Sequence, residues 1–102
     1  MTQKEVLTFD EFYHFYLSEH KNVNCRRLHF FGAWLGIFFL LLAAARLQFF
    51  WLPAGVVSGY FFSWIGHFFF EKNRPASFKR PLFSFFGDCR MFQEILSGKI
   101  KI

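Results

Sequence analysis

The chain has 102 residues, of which 54% are hydrophobic, 25% aromatic and only 19% charged, with Phe alone occurring 19 times. That length fits one domain at most, and the apolar content excludes intrinsic disorder. The 12 Lys+Arg against 7 Asp+Glu give a net charge of +5 with histidine neutral. A fold this small leaves a large share of its area in contact with solvent, and lipid suits that aromatic surface better than water. The basic residues flank apolar runs and no DNA- or RNA-binding motif is present, so the charge reads as membrane topology and not as nucleic-acid binding.

Taken in order, the polar stretch 1–10 lacks the basic-then-apolar order of a signal peptide. Thr8 or Asp10 can cap a first helix over residues 10–20, whose Phe12, Tyr13, Phe15 and Tyr16 suit a membrane interface. A turn follows at Lys21 to Asn24. Residues 28–45 carry no charge and form a first span, closed by Arg46. Residues 47–70 form a second, with Pro53 starting or kinking its helix. Gly55 and Gly59 have the small-xxx-small spacing that admits a neighbouring helix, from which self-association into a homo-oligomer is expected. Residues 82–96 give a last amphipathic helix, either interfacial or a lid on the first, stopped by Gly98. The predicted fold is therefore all-α: a single membrane domain over residues 1–102, built as a two-span antiparallel hairpin flanked by interfacial helices. Both outer flanks are basic, which places both termini in the cytosol.

The hairpin makes a geometric prediction. His29 enters the first span and His67 leaves the second at the same cytosolic depth. His20 precedes the first span on that side, and Glu71 lies four residues after His67 on the same helix face. His20, His29, His67 and Glu71 thus converge as a candidate metal site. Imidazoles plus a carboxylate with open positions are the donor set of non-haem Fe(II) oxygenases. His14 lies away from this boundary and reads as structural. Cys25 and Cys89 match no zinc or redox spacing and read as reduced thiols. The competing reading makes His29 and His67 plain interfacial residues and pairs Glu71 with Arg74.

The stretches YLSEHKNVNCRRLHFFG (16–32) and GHFFFEKNRPASFKRPLFSFFGDCRMFQEILSGK (66–99) resemble a family of small membrane proteins. Its eukaryotic members are 2-hydroxy fatty acid dioxygenases of the endoplasmic reticulum that act in phytosphingosine breakdown. The most specific part is Gly66, His67, Glu71, Pro75 and Ala76. The resemblance implies Fe(II)-dependent α-oxidation of a 2-hydroxy fatty acid to an acid one carbon shorter, with His20, His29 and His67 holding Fe(2+). It also implies an integral membrane location: the endoplasmic reticulum for a eukaryotic chain, the inner membrane for a bacterial one. Arg26, Arg27 and Lys72 are candidates for the substrate carboxylate. Two alternatives stay open: a non-enzymatic membrane scaffold or lipid-binding module, and a protein in which an ion only locks the helices.

Overall fold

The computed structural model describes residues 8–102. The expectation about a leader at the extreme N-terminus therefore lies largely outside the described residues. Among the described residues there are four α-helices, α1 Phe9–Ser18, α2 Val23–Arg46, α3 Trp51–Ile65 and α4 Pro81–Leu96, and no strand. A π-helical segment, Gly66–Glu71, extends α3, and a 3-10 turn, Ala76–Phe78, precedes α4.

Thr8 starts α1 as expected. Its hydroxyl accepts the Glu11 N–H at 3.2 Å while Glu11 Oε1 accepts the Thr8 N–H at 3.2 Å, a reciprocal capping box. The apolar face of α1 does not lie open at an interface. Phe12, Tyr13 and Tyr16 are buried with Met91 and Ile95 of α4, so α4 takes the lid position over the first helix. Polar bonds tie the two helices at their edges: the Tyr13 hydroxyl donates to Glu94 at 2.6 Å, and Arg90 pairs with Asp10 at 3.1 Å.

The first apolar helix begins at Val23, earlier than residue 28, because Asn22 caps it by accepting the Asn24 N–H at 2.8 Å. It ends at Arg46, where Leu47 takes a left-handed conformation with φ 51°. With 24 residues and a mean hydropathy of 2.1, α2 is the one described helix long and apolar enough to cross a membrane. The second apolar stretch is not one helix over 47–70. Residues 47–50 form the connection, α3 runs from Trp51 to Ile65, and the π-helical segment follows. Pro53 sits in the first turn of α3, where no intrahelical N–H is needed.

α2 and α3 pack antiparallel along a glycine seam. A Cβ on Gly32 would lie 2.8 Å from the Gly59 carbonyl oxygen, and one on Gly55 would lie 3.3 Å from that of Gly36. The small residues of α3 thus face α2 of the same chain, which corrects the expectation that Gly55 and Gly59 receive a second copy. Bulky apolar side chains point outward from this pair, among them Phe38, Leu41, Val57 and Phe61, each more than half exposed.

Candidate metal centre

Three elements deliver one histidine each. His20 follows α1 on no helix, His29 lies in the second turn of α2, and His67 lies at the start of the π-helical segment. All three are buried, at 1%, 6% and 2% exposure. Their rings stand nearly perpendicular to one another, at 83°, 79° and 84°, with centroids 4.4 to 4.9 Å apart. Gly66 brings the π-helical segment against α2, since a Cβ there would meet Cys25 Sγ at 3.0 Å. π-Helical turns are frequent at functional sites, and this one carries His67.

Hydrogen bonds fix which nitrogen of each ring faces inward. His20 Nδ1 donates to the Tyr16 carbonyl at 2.6 Å, and His29 Nδ1 donates to the Cys25 carbonyl at 2.9 Å. His67 Nδ1 lies 2.7 Å from Asn73 Oδ1. The Asn73 amide cannot be reversed, because its Nδ2 already donates to the Glu19 carbonyl at 3.2 Å. Each acceptor is an oxygen without a proton, so each Nδ1 carries the hydrogen and each neutral ring keeps its lone pair on Nε2.

Two of those lone pairs meet. His20 Nε2 and His29 Nε2 stand 3.0 Å apart. Two lone pairs at that distance repel unless a proton or a cation lies between them. Two nitrogens at about 2.1 Å from one ion, at right angles about it, would be about 3.0 Å apart. Burial holds the His20 imidazole well below its usual pKa, and the neighbouring His29 and His67 lower it further. The ring is therefore in its neutral, ligating form at physiological pH. The donor set fits a divalent metal.

Cys25 joins this group. One ligand atom from each of His20, Cys25, His29 and His67 lies within 4.8 Å of the others, all four residues being buried. Cys25 Sγ is 3.7 Å from His29 Nδ1, the side of that ring already bonded to the Cys25 carbonyl. The i,i+4 spacing of Cys25 and His29 on one helix was the sequence signal for it. Both cysteines are free thiols, Cys25 buried and Cys89 exposed.

Glu71 is not among these residues. Its Oε2 accepts the Asn22 N–H at 2.5 Å, which sets a carboxylate at the N-terminus of α2 and ties the end of the π-helical segment to it. Arg26 is engaged by three main-chain carbonyls, of His20 at 2.7 Å and of Lys21 and Lys101 at 3.2 Å, and so pins the loop that carries His20. Arg27 is exposed, as is His14. Lys72 borders an open surface cleft with Phe68, Phe69, Asn73 and Arg74.

The histidines open onto a narrow cleft between α3, the 3-10 turn and α4. It is constricted, with a volume of about 10 Å³ that admits about one water. Tyr60, Ser63, Ser77, Ser84 and Asp88 give it a polar wall. The sequence pattern sets Asp88 on the polar side of the last helix with Arg90 and Glu94, but its spacing from Ser84, Met91 and Ile95 places it on the inner face of α4. It accepts a short hydrogen bond from the Tyr16 hydroxyl. Burial pushes its carboxyl up to about 7, against the Tyr16 hydroxyl, which holds it down.

Comparison with known proteins gives one decisive result. The family model described as "2-hydroxy-palmitic acid dioxygenase Mpo1-like" matches residues 6–100. The chain belongs to the Mpo1-like family. No curated protein and no solved structure matches it. The family carries 2-hydroxy fatty acid oxidation in its description, and the match spans every histidine of the cluster.

Proposed function

We propose that this Mpo1-like protein is an Fe(II)-dependent dioxygenase that shortens 2-hydroxy fatty acids by one carbon, with His20, His29 and His67 as the protein ligands of the iron. One observation carries the reading: three buried rings each give up Nδ1–H to an oxygen acceptor, His20 and His29 face each other through Nε2 at 3.0 Å, and the His67 ring packs 4.4 and 4.9 Å from theirs. Such Nδ1 bonds are the usual outer support of metal-bound histidine. A bound iron would supply a chelating centre for a carboxylate with its adjacent hydroxyl and would activate dioxygen.

The chain's own residues do the rest. Tyr16, Cys25 and Asn73 hold the ligating tautomers. Arg26 holds the His20 loop. Glu71 secures the start of α2 and is an anchor, not a ligand. For the acid's head to reach the histidines the cleft between α3 and α4 must widen beyond the single water it admits, and the exposed Phe and Leu side chains of α2 and α3 sit with the acyl chain in lipid. α2 and α3 together form the membrane-embedded hairpin, with both termini cytosolic. Arg27 and Lys72 stand at its basic rim, where they draw the carboxylate to the surface.

The test is anaerobic purification, determination of bound iron, and an assay of 2-hydroxy fatty acid consumption. Iron at one per chain, with turnover that His67→Ala abolishes, supports the reading. Iron and turnover retained in His67→Ala refute it, and absence of both in the wild type leaves the lipid-anchored scaffold.

A further inference from the structure

His20 differs from the other two histidines in what holds it. His29 and His67 ride on helices that pack closely against each other, whereas His20 lies beyond the end of α1. Its ring is placed by Tyr16. The two rings stack at 4.0 Å and 22°, and the Tyr16 carbonyl takes the Nδ1 hydrogen. α1 in turn packs chiefly on α4. The contact between these helices nearest to His20 is a grip on Tyr16 by two adjacent residues of α4. Gly87 lies flat against the ring, where a Cβ would come within 2.9 Å of Tyr16 Cδ2, and Asp88 accepts the hydroxyl.

We propose that Asp88 is a positioning residue for the metal: through Tyr16 it holds the His20 imidazole at the angle that directs Nε2 into the cluster. The inference rests on the proposed metal site. The line of contact is continuous, from the Asp88 carboxylate to the Tyr16 hydroxyl, through the stacked ring to His20, and from there across 3.0 Å to His29 Nε2. Tyr16 is 1% exposed and His20 is 1% exposed, so neither ring has room to settle elsewhere while this contact holds. Tyr13, one turn earlier on α1, makes a comparable bond to Glu94, and its ring stacks on Tyr16 and not on a cluster histidine. It thus separates docking of α1 from positioning of His20.

The experiment is an anaerobic Co²⁺ titration of the detergent-solubilised full chain, read by visible ligand-field absorption and by metal affinity. Thermal unfolding of the metal-free protein is measured in parallel. Asp88→Ala and Tyr16→Phe are expected to weaken Co²⁺ binding about 10- to 100-fold and to shift the absorption band, the range typical of lost outer support. Asp88→Asn keeps an oxygen for the Tyr16 hydroxyl and stays within about three-fold of wild type. Tyr13→Phe lowers the unfolding temperature with the wild-type affinity and spectrum. Asp88→Ala binding Co²⁺ as wild type does, with the same spectrum, overturns the proposal, and so does an equal loss in Tyr13→Phe. If Asp88→Ala does not fold, Tyr16→Phe decides alone by the same criteria. A wild type that takes up no Co²⁺ is a different failure, that of the metal site itself.

Discussion

His20 Nε2 and His29 Nε2 face each other at 3.0 Å, while the opposite nitrogen of each ring is bonded to a main-chain carbonyl. A pair arranged in this way is a poor hydrogen bond and a good pair of ligands. The geometry organises most of what the protein is expected to do under perturbation.

Asn73 is the third anchor, since it receives His67 Nδ1 and is itself held by the Glu19 carbonyl. Asn73→Leu removes the acceptor and frees the His67 ring to turn. Metal affinity is expected to fall about 10- to 100-fold while helix content stays unchanged. Isothermal titration together with circular dichroism checks it.

The glycine seam makes a paired prediction. Gly32→Ala places a methyl 2.8 Å from the Gly59 carbonyl oxygen, a backbone atom that cannot step aside, so α2 and α3 must separate. A cost of about 1–3 kcal/mol is expected. Gly36→Ala meets its nearest atom at 3.8 Å, in ordinary contact, and should be neutral or stabilising by up to about 1 kcal/mol through helix propensity. Thermal unfolding of both variants in detergent gives the comparison.

The seam also shows what the sequence could and could not reveal. Spacing alone identified Gly55 and Gly59 as a surface for close approach, but the partner face, Gly32 and Gly36, lies far away in the chain. The three histidines were legible because antiparallel packing of two apolar stretches puts the start of the first beside the end of the second. Glu71 was drawn into the same group by its four-residue spacing from His67. The bond that instead directs it to Asn22 spans 49 residues of sequence and leaves no local trace. The role of Asp88 was hidden for a similar reason, since its partner Tyr16 is 72 residues away.

Glu71 supplies a direct contrast with the histidines. Glu71→Gln weakens the contact with the Asn22 N–H and removes negative charge from the N-terminus of α2. Stability should fall by about 1 kcal/mol with metal stoichiometry unchanged. Metal analysis and chemical denaturation of the variant measure the two quantities together.

Asp88 sets a dependence on pH. Its carboxyl is raised from 3.8 to about 7 in the folded chain, chiefly by burial. Between pH 4 and pH 7 the folded chain therefore holds a proton that the unfolded chain has released, and the stability this group contributes falls as pH rises through that window. The full shift would correspond to about 4 kcal/mol, and partial exposure of the residue lowers the expectation to on the order of 1–2 kcal/mol. His20, with its depressed pKa, acts in the opposite sense: stability is lost as pH falls below the ordinary histidine range. The difference between wild type and Asp88→Asn cancels the His20 contribution. The advantage of wild type over the variant should shrink from pH 4 to pH 7 and level off above it, as measured by denaturant unfolding at each pH.

X-ray absorption of the iron-loaded, anaerobically purified protein bears most directly on the central claim. The account predicts one iron per chain, with the outer-shell scattering of three imidazoles and its partial loss in His29→Ala. An iron shell without imidazole scattering, or a spectrum that His29→Ala leaves unchanged, would contradict it.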